Sequence, residues 1–359
     1  MENPFLKNGY LGLNASINKL FIAQMPTAHS EMNYEGKRAF ELFSTSLFID
    51  EIKKNYIGLQ LDLSNVEEKY LPQYLDQCLA SKNEDIRIKA EEIVGEFGKR
   101  LGVIFLVLKK GQKKNRLARA DWNDDCWDYW AQIDNIILCG GLASSNIGHI
   151  LRKQIERVFE EEKEQCYNIV LIDNSANIAA EGCASFIQCK DIENTYLILD
   201  CGQSFIKRNL VTIKSGKIIK LKELSKVLAK HVKWEFVDVI NEKKEAVELN
   251  NYLLSIIQNT INESNLQLGR EIVISIANYI NCGHIANRGG YGKLRLLSEN
   301  YERYLADQLS ERYKTKIDIK LVHDGTAMAA AFNKYKNAVC ISLGTAFGVG
   351  FPNALGKKI

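Results

Sequence analysis

The stretch TYLILDCGQSFIKRNLVTIKSGKI, Thr195–Ile218, decides how this chain reads. An apolar run ends in Asp200-Cys201-Gly202, and a second apolar, β-branched run returns from Phe205, which predicts strand, tight turn and strand. Gly202 lets the backbone turn back on itself so that successive amides face an anion. Outward from this stretch the pattern recurs. AVCISLGTAFGVGF, Ala338–Phe351, is a strand, the turn Gly344-Thr345-Ala346 and a glycine-punctuated return. KLVHDGTAMAAAF, Lys320–Phe332, precedes it, with Asp324 between a strand and an alanine-rich helix. Upstream, DNIILCGGLASSNIGHILRKQI, Asp134–Ile155, reads as a strand, the turn Gly140-Gly141 and a helix. The strand YNIVLID, Tyr167–Asp173, and the small-residue helix SANIAAEGCASFI, Ser175–Ile187, follow it. That succession predicts a parallel α/β unit.

These motifs resemble those of the sugar kinases known as ROK (repressor, open reading frame, kinase) and the hexokinases near them, within the actin-like superfamily. Thr195–Ile218 resembles the first phosphate hairpin of those kinases, and Lys320–Phe332 the turn of the catalytic aspartate. Ala338–Phe351 resembles the second phosphate loop, and Asp134–Ile155 the adenosine loop. The adenosine-like loop here precedes the other three. Rotating the chain so that residue 194 comes first, with residues 1–193 following 359, restores the family order, and the rotated pieces cover most of the chain, roughly the first 80 residues matching weakly. The resemblance implies an α/β, actin-like ATPase (ribonuclease H-like) two-lobe fold, circularly permuted. Residues 1–174 with 338–359 would form the adenosine-side lobe, and 175–337 the lobe with the first phosphate hairpin. Exchanging termini is tolerated where they lie close together at a surface.

By the same resemblance, ATP and Mg²⁺ are the expected cofactors and a sugar or amino sugar the substrate. Asp324 would take a proton from the attacking hydroxyl. Read on its own, the same aspartate is better taken as a helix N-cap; its place between the two phosphate loops favours the base. Asp200 would hold Mg²⁺ largely through water. Gly202, Gln203 and Ser204 would form the first phosphate turn, with Gln203 where the family has a second glycine and Ser204 where it often has threonine. Lys207 reads as a phosphate ligand or as an exposed strand lysine. Gly344, Thr345 and Ala346 would serve the second phosphate turn, and Gly140 and Gly141 the adenosine. Asn278, Asn281, Asn287 and Arg288, in IVISIANYINCGHIANRGGYGKL (Ile272–Leu294), are candidate sugar contacts, with His323 where ROK kinases have asparagine. Asparagines in such a loop are also ordinary turn formers. The family's Glu-x-Gly-His spelling is absent from MPTAHSEMNYEG, Met25–Gly36, where His29, Glu31 and Glu35 read as solvated polar residues before substitutes for it.

Composition agrees with a soluble globular protein of ordinary make-up: 359 residues, 46% hydrophobic, 25% charged. A net charge of +3 points to no polyanionic partner, so no nucleic acid is expected. No apolar run is long enough for a bilayer, and MENPFLKNGY lacks a signal-peptide core, so no membrane partner and a cytoplasmic location are expected. Nine scattered cysteines without Cys-x-x-Cys spacing read as buried small hydrophobes in a reducing compartment, so the zinc motif of many ROK kinases is not expected. Homodimerisation is left open. Asn83–Lys110 predicts a long core helix, with shorter ones over Gly36–Asn55 and Val66–Ser81. Three tryptophans in DWNDDCWDYWAQID, Asp121–Asp134, read as a base-stacking surface or as packing of an insertion on its own lobe. The same fold also hosts non-catalytic sugar or nucleotide sensors and partner-driving ATPases. The base-like Asp324 and the polar substrate segment favour the kinase.

Overall fold

The computed structural model describes residues 2–27, 33–172, 177–188, 192–235, 238–264 and 268–352. It is a mixed α/β protein that divides into two compact units. The first comprises Met1–Phe5, Asn14–Ala176 and Tyr335–Val349, and the second Leu6–Leu13, Asn177–Lys334 and Gly350–Ile359. Among the described residues no helix is long and apolar enough to cross a membrane.

In the first unit, the sheet runs in the order Phe347–Gly350, Ala338–Leu343, Asn135–Cys139, Asn168–Leu171. The last three strands are parallel. The strand Ala338–Leu343, near the end of the chain, thus pairs with one some 200 residues earlier, Cys340 standing opposite Ile137. The long helix spans Glu84–Lys110, as the sequence predicts, and Asn83 caps it by accepting the Asp85 amide at 3.0 Å. Its C-terminal half is buried continuously from Leu101 to Leu108, which explains why the helical periodicity fades there into an unbroken apolar run. The predicted helix over Gly36–Asn55 is instead two, Ala39–Leu42 and Thr45–Lys54. Phe43 is extended between them, and Ser44 caps the second by accepting the Leu47 amide. Val66–Ser81 contracts to Leu71–Leu79, preceded by a short 3₁₀ turn. Trp122, Trp127 and Trp130 are all buried, and Trp122 packs on Phe5 at 5.2 Å and Trp127 at 5.0 Å. The tryptophan-rich segment is therefore core of its own unit.

In the second unit, five strands lie in the order Asp318–His323, Leu268–Ile276, Asn194–Cys201, Phe205–Lys214, Lys217–Leu228. The first three are parallel and the last three form an antiparallel meander. Alternation along Asn194–Cys201 explains its unbroken apolar run. Leu197, Leu199 and Cys201 pack on one face with Leu253 and Leu305, while Tyr196 and Ile198 pack on the other with Ala180, Val322 and Ala327. A strand covered on both sides needs apolar residues at every position. The edge strand Lys217–Leu228 is mostly exposed and carries Lys217, Lys220, Lys222 and Lys226, which discourages pairing with another chain's edge. Both sheets share one local order, a strand–turn–strand pair followed by two strands parallel to its first member. In the second unit that pair comes first in sequence, and in the first unit it comes last.

Candidate functional site

In the second unit the ends of three parallel strands gather polar side chains. Register places Asp200 opposite Ser275 and Ser275 opposite Val322, so that Cys201, Ile276 and His323 form the next row. Ser275 donates from Oγ to Asp200 Oδ1 at 3.1 Å, and Lys207, across the hairpin, brings Nζ to 3.6 Å from Oδ2. Burial pushes the Asp200 carboxyl above its usual range; Lys207 and the Ser275 hydrogen bond oppose this, and the neighbouring Asp324 charge adds to it. The structure thus brings together Asp200, Lys207 and Asp324, and adds Ser275. A lone serine in the apolar run EIVISIAN was the available signal for it.

Gly202 begins the turn that follows, its amide donating to Phe205 O at 3.1 Å. Buried Tyr291, whose phenol burial holds protonated well above the usual range, donates to Gly202 O at 2.9 Å. That brace lies within Ile272–Leu294 and was not singled out from the sequence. Gln203 and Ser204 are exposed, and Ser204 O accepts the Ala229 amide.

Asp324 begins the helix Asp324–Ala330 directly after the strand that ends at His323. The N-cap of this helix is His323, whose Nδ1 accepts the Thr326 amide at 3.2 Å. The cap reading of Asp324 is thereby corrected: the ring one residue earlier does that work. Asp324 Oδ1 accepts the Gly325 amide at 2.7 Å and lies 3.2 Å from His323 Nε2, while the side chain stays 37% exposed, open enough to meet a ligand. The helix is held close to Ile178–Ala184 because Gly182 faces it. A Cβ there would stand 1.7 Å from Ala327 O.

Asn278 is buried and donates from Nδ2 to Ala286 O at 3.1 Å and to Arg288 O at 2.6 Å, so it staples its own loop. Asn281, Asn287 and Arg288 are exposed. Arg288 lies over the Tyr279 ring at 5.4 Å, and that ring stacks on His323 at 4.6 Å. Asn281 lines a largely apolar cavity of about 270 Å³ with Tyr10, Tyr279 and His284. His29 and Glu31 lie outside the described residues. Glu35 accepts the Met25 amide at 3.1 Å, closing its own loop.

In the first unit, parallel neighbours bring the glycine turns Gly140-Gly141 and Gly344-Thr345-Ala346 side by side. Gly140 has φ +95°, and a Cβ on it would meet Leu343 O at 2.6 Å, so only glycine fits. Around Gly141 nothing stands within 4 Å of such a Cβ, and around Gly344 only Ala346 O at 3.9 Å. Thr345 and Ala346 are exposed, and Gly344 O accepts the Thr45 amide at 2.9 Å.

A separate cluster escaped the sequence reading. His231 Nδ1 lies 3.3 Å from Glu248 Oε2, and Glu245 joins them. Buried Lys293 approaches Glu245 at 3.6 Å and donates to His231 O at 2.6 Å, so an ammonium already supplies the counter-charge. Of the nine cysteines, Cys78, Cys126, Cys139, Cys183, Cys201 and Cys340 are buried, whereas Cys282 is exposed.

Protein-family models give no match to the chain, and neither do curated proteins.

Proposed function

We propose that this chain is an ATP- and Mg²⁺-dependent kinase that phosphorylates a hydroxyl of a sugar or amino sugar, on a circularly permuted actin-like fold. The observation that carries the reading is the division of labour at the helix Asp324–Ala330. His323 caps it, which leaves the Asp324 carboxylate partly open beside the buried Asp200 carboxylate at the ends of parallel strands. The ends of parallel strands are where open α/β sheets bind ligands. The shared strand order of the two sheets, with the sequence order inverted in one, supports the permutation.

In this reading Asp324 orients the sugar hydroxyl and accepts its proton late in a loose transition state. A buried carboxylate lifted by burial and by a second carboxylate suits a hard cation with oxygen ligands, so Asp200, fixed by Ser275, would hold Mg²⁺. The ion would supply charge neutralisation at the phosphates. In each turn the exposed residues, Gln203 and Ser204 in one and Thr345 and Ala346 in the other, would offer amides to phosphate oxygens. Asn281, on its cavity, and Arg288 are the sugar-side candidates, whereas Asn278 shapes the loop.

Asp200→Asn tests the metal-side role. Titration with ATP in the presence and absence of Mg²⁺ is expected to show the Mg²⁺-dependent affinity falling about 10- to 100-fold. Stability should move the other way. A carboxyl whose folded value is raised carries a penalty that is absent below its unfolded value, grows as pH rises from there to the folded one and is constant above it. The amide removes this penalty, so Tm should not fall. Unchanged Mg²⁺-ATP affinity in a folded variant contradicts the assignment.

A further inference from the structure

We propose that the cavity lined by Asn281 is an aglycone site: it takes an aromatic group carried by the sugar, so the preferred acceptor is an aryl glycoside rather than a bare hexose. The inference rests on the kinase reading and names the substrate class of that site.

The cavity forms where the hairpin of Leu6–Lys7 and Tyr10–Leu11 meets that of Ile280–Asn281 and His284–Ile285, all within the second unit. Its volume is about 270 Å³. Leu11, Ile280 and Ile285 line it and are buried, Tyr10 and Tyr279 are half-buried, and the polar members Asn281 and His284 are exposed. The apolar lining is thus the shielded part, and the hydrogen-bonding groups meet solvent. Sugar hydroxyls need paired donors and acceptors, which so apolar a lining does not offer. Pockets of this make-up hold a ligand by apolar contact and orient it with a few polar groups. Size selects among apolar substituents. An apolar cavity of about 150 Å³ holds a benzene ring, so this one admits a phenyl ring with a substituent, whereas an N-acetyl group would leave most of it empty.

Position ties the cavity to the reaction. A smaller hollow shares Tyr10, Leu11 and Ile280 with it and reaches His323 and Thr326. Those two residues flank Asp324 and Gly325 at the start of the helix Asp324–Ala330. Tyr279, on the cavity wall, stacks on His323 at 4.6 Å. A ring seated in the cavity leaves the attached sugar at the rim with Asn281, near the helix that Asp324 begins.

The test compares phenyl and methyl glycosides of the same hexoses, in ¹³C-methyl spectra of the intact chain and in ADP release with Mg²⁺-ATP. Phenyl glycosides are expected to shift the methyl resonances of Leu11, Leu13, Ile280 and Ile285, and to exceed the methyl glycosides about 10- to 100-fold in kcat/KM. Leu13 lines the cavity and is 54% exposed, so Leu13→Trp narrows it without entering the core, and the phenyl-to-methyl ratio should fall toward one. Phenyl glycosides that leave those methyl resonances unmoved, or a ratio near one in the parent chain, overturn the proposal. Phenol bound there as tightly as the phenyl glycoside makes the cavity an effector site and overturns the aglycone assignment. Should phenyl glycosides shift these methyls more strongly than phenol or methyl glycosides while no glycoside is turned over, the kinase reading fails and the cavity's ligand class stands.

Discussion

Asp324→Asn is expected to leave the protein folded and its ligand affinities largely intact while lowering sugar-dependent turnover by about 10²-fold or more, the usual worth of a positioned base. The amide keeps the size of the carboxylate and an oxygen that can still accept the Gly325 amide. What it loses is the capacity to take a proton. Because His323 caps the helix through the Thr326 amide, the substitution does not remove the cap, and stability should change little. Steady-state ADP release across hexoses and amino hexoses, with Tm measured alongside, separates the outcomes. Turnover like that of the parent removes Asp324 from the mechanism.

Gly182→Ala is expected to have the largest effect on stability. The helix Ile178–Ala184 lies so close to Asp324–Ala330 that a Cβ at position 182 would stand 1.7 Å from Ala327 O and 3.1 Å from Ala331 N. Both are backbone atoms, so no side-chain rotation relieves the overlap. The helices must separate, and the layer of Ala180, Cys183, Val322 and Ala327 beneath them loosens. Overpacking of this kind typically costs about 1–3 kcal/mol, and a backbone clash belongs at the upper end. For a unit of this size that lowers Tm by roughly 6–12 °C. Turnover should fall as well at temperatures where the variant is folded, since the displaced helix carries Asp324. Calorimetry of the variant checks the first expectation, and a Tm within 2 °C of the parent's counts against so close a helix contact.

The fold was legible in the sequence wherever a strand is covered on both faces or a turn demands glycine. Thr195–Ile213 and Ala338–Leu343 stand out as apolar runs closed by a turn, and Gly140 marks a position where φ is positive. The third strand of the meander, Lys217–Leu228, is nearly all exposed and lysine-rich, so no apolar period marked it as a strand beyond Ile218. The break at Phe43 was hidden because Ser44, an ordinary residue inside a helical period, acts as a cap only once Phe43 is extended. At the site, Asp200 and Asp324 were visible as carboxylates at strand ends. Which of two adjacent residues caps the helix was not, since Asp is the commoner cap and His323 does the capping through a ring nitrogen. Ser275 and Tyr291 act on Asp200 and Gly202 from about 75 and 90 residues away, a relation only strand register reveals. Asn278 was read from its type as a substrate group, but burial turns both of its amide protons to carbonyls of its own loop.

The most direct test of the kinase reading is ADP release by the purified chain with Mg²⁺-ATP, measured against hexoses, N-acetylhexosamines and a sugar-free control, with ³¹P spectra of the products. The account predicts ADP formation that depends on a particular sugar and is matched by a new sugar phosphomonoester. ADP release at the same rate without any sugar, or sugar binding with no phosphomonoester formed, contradicts it.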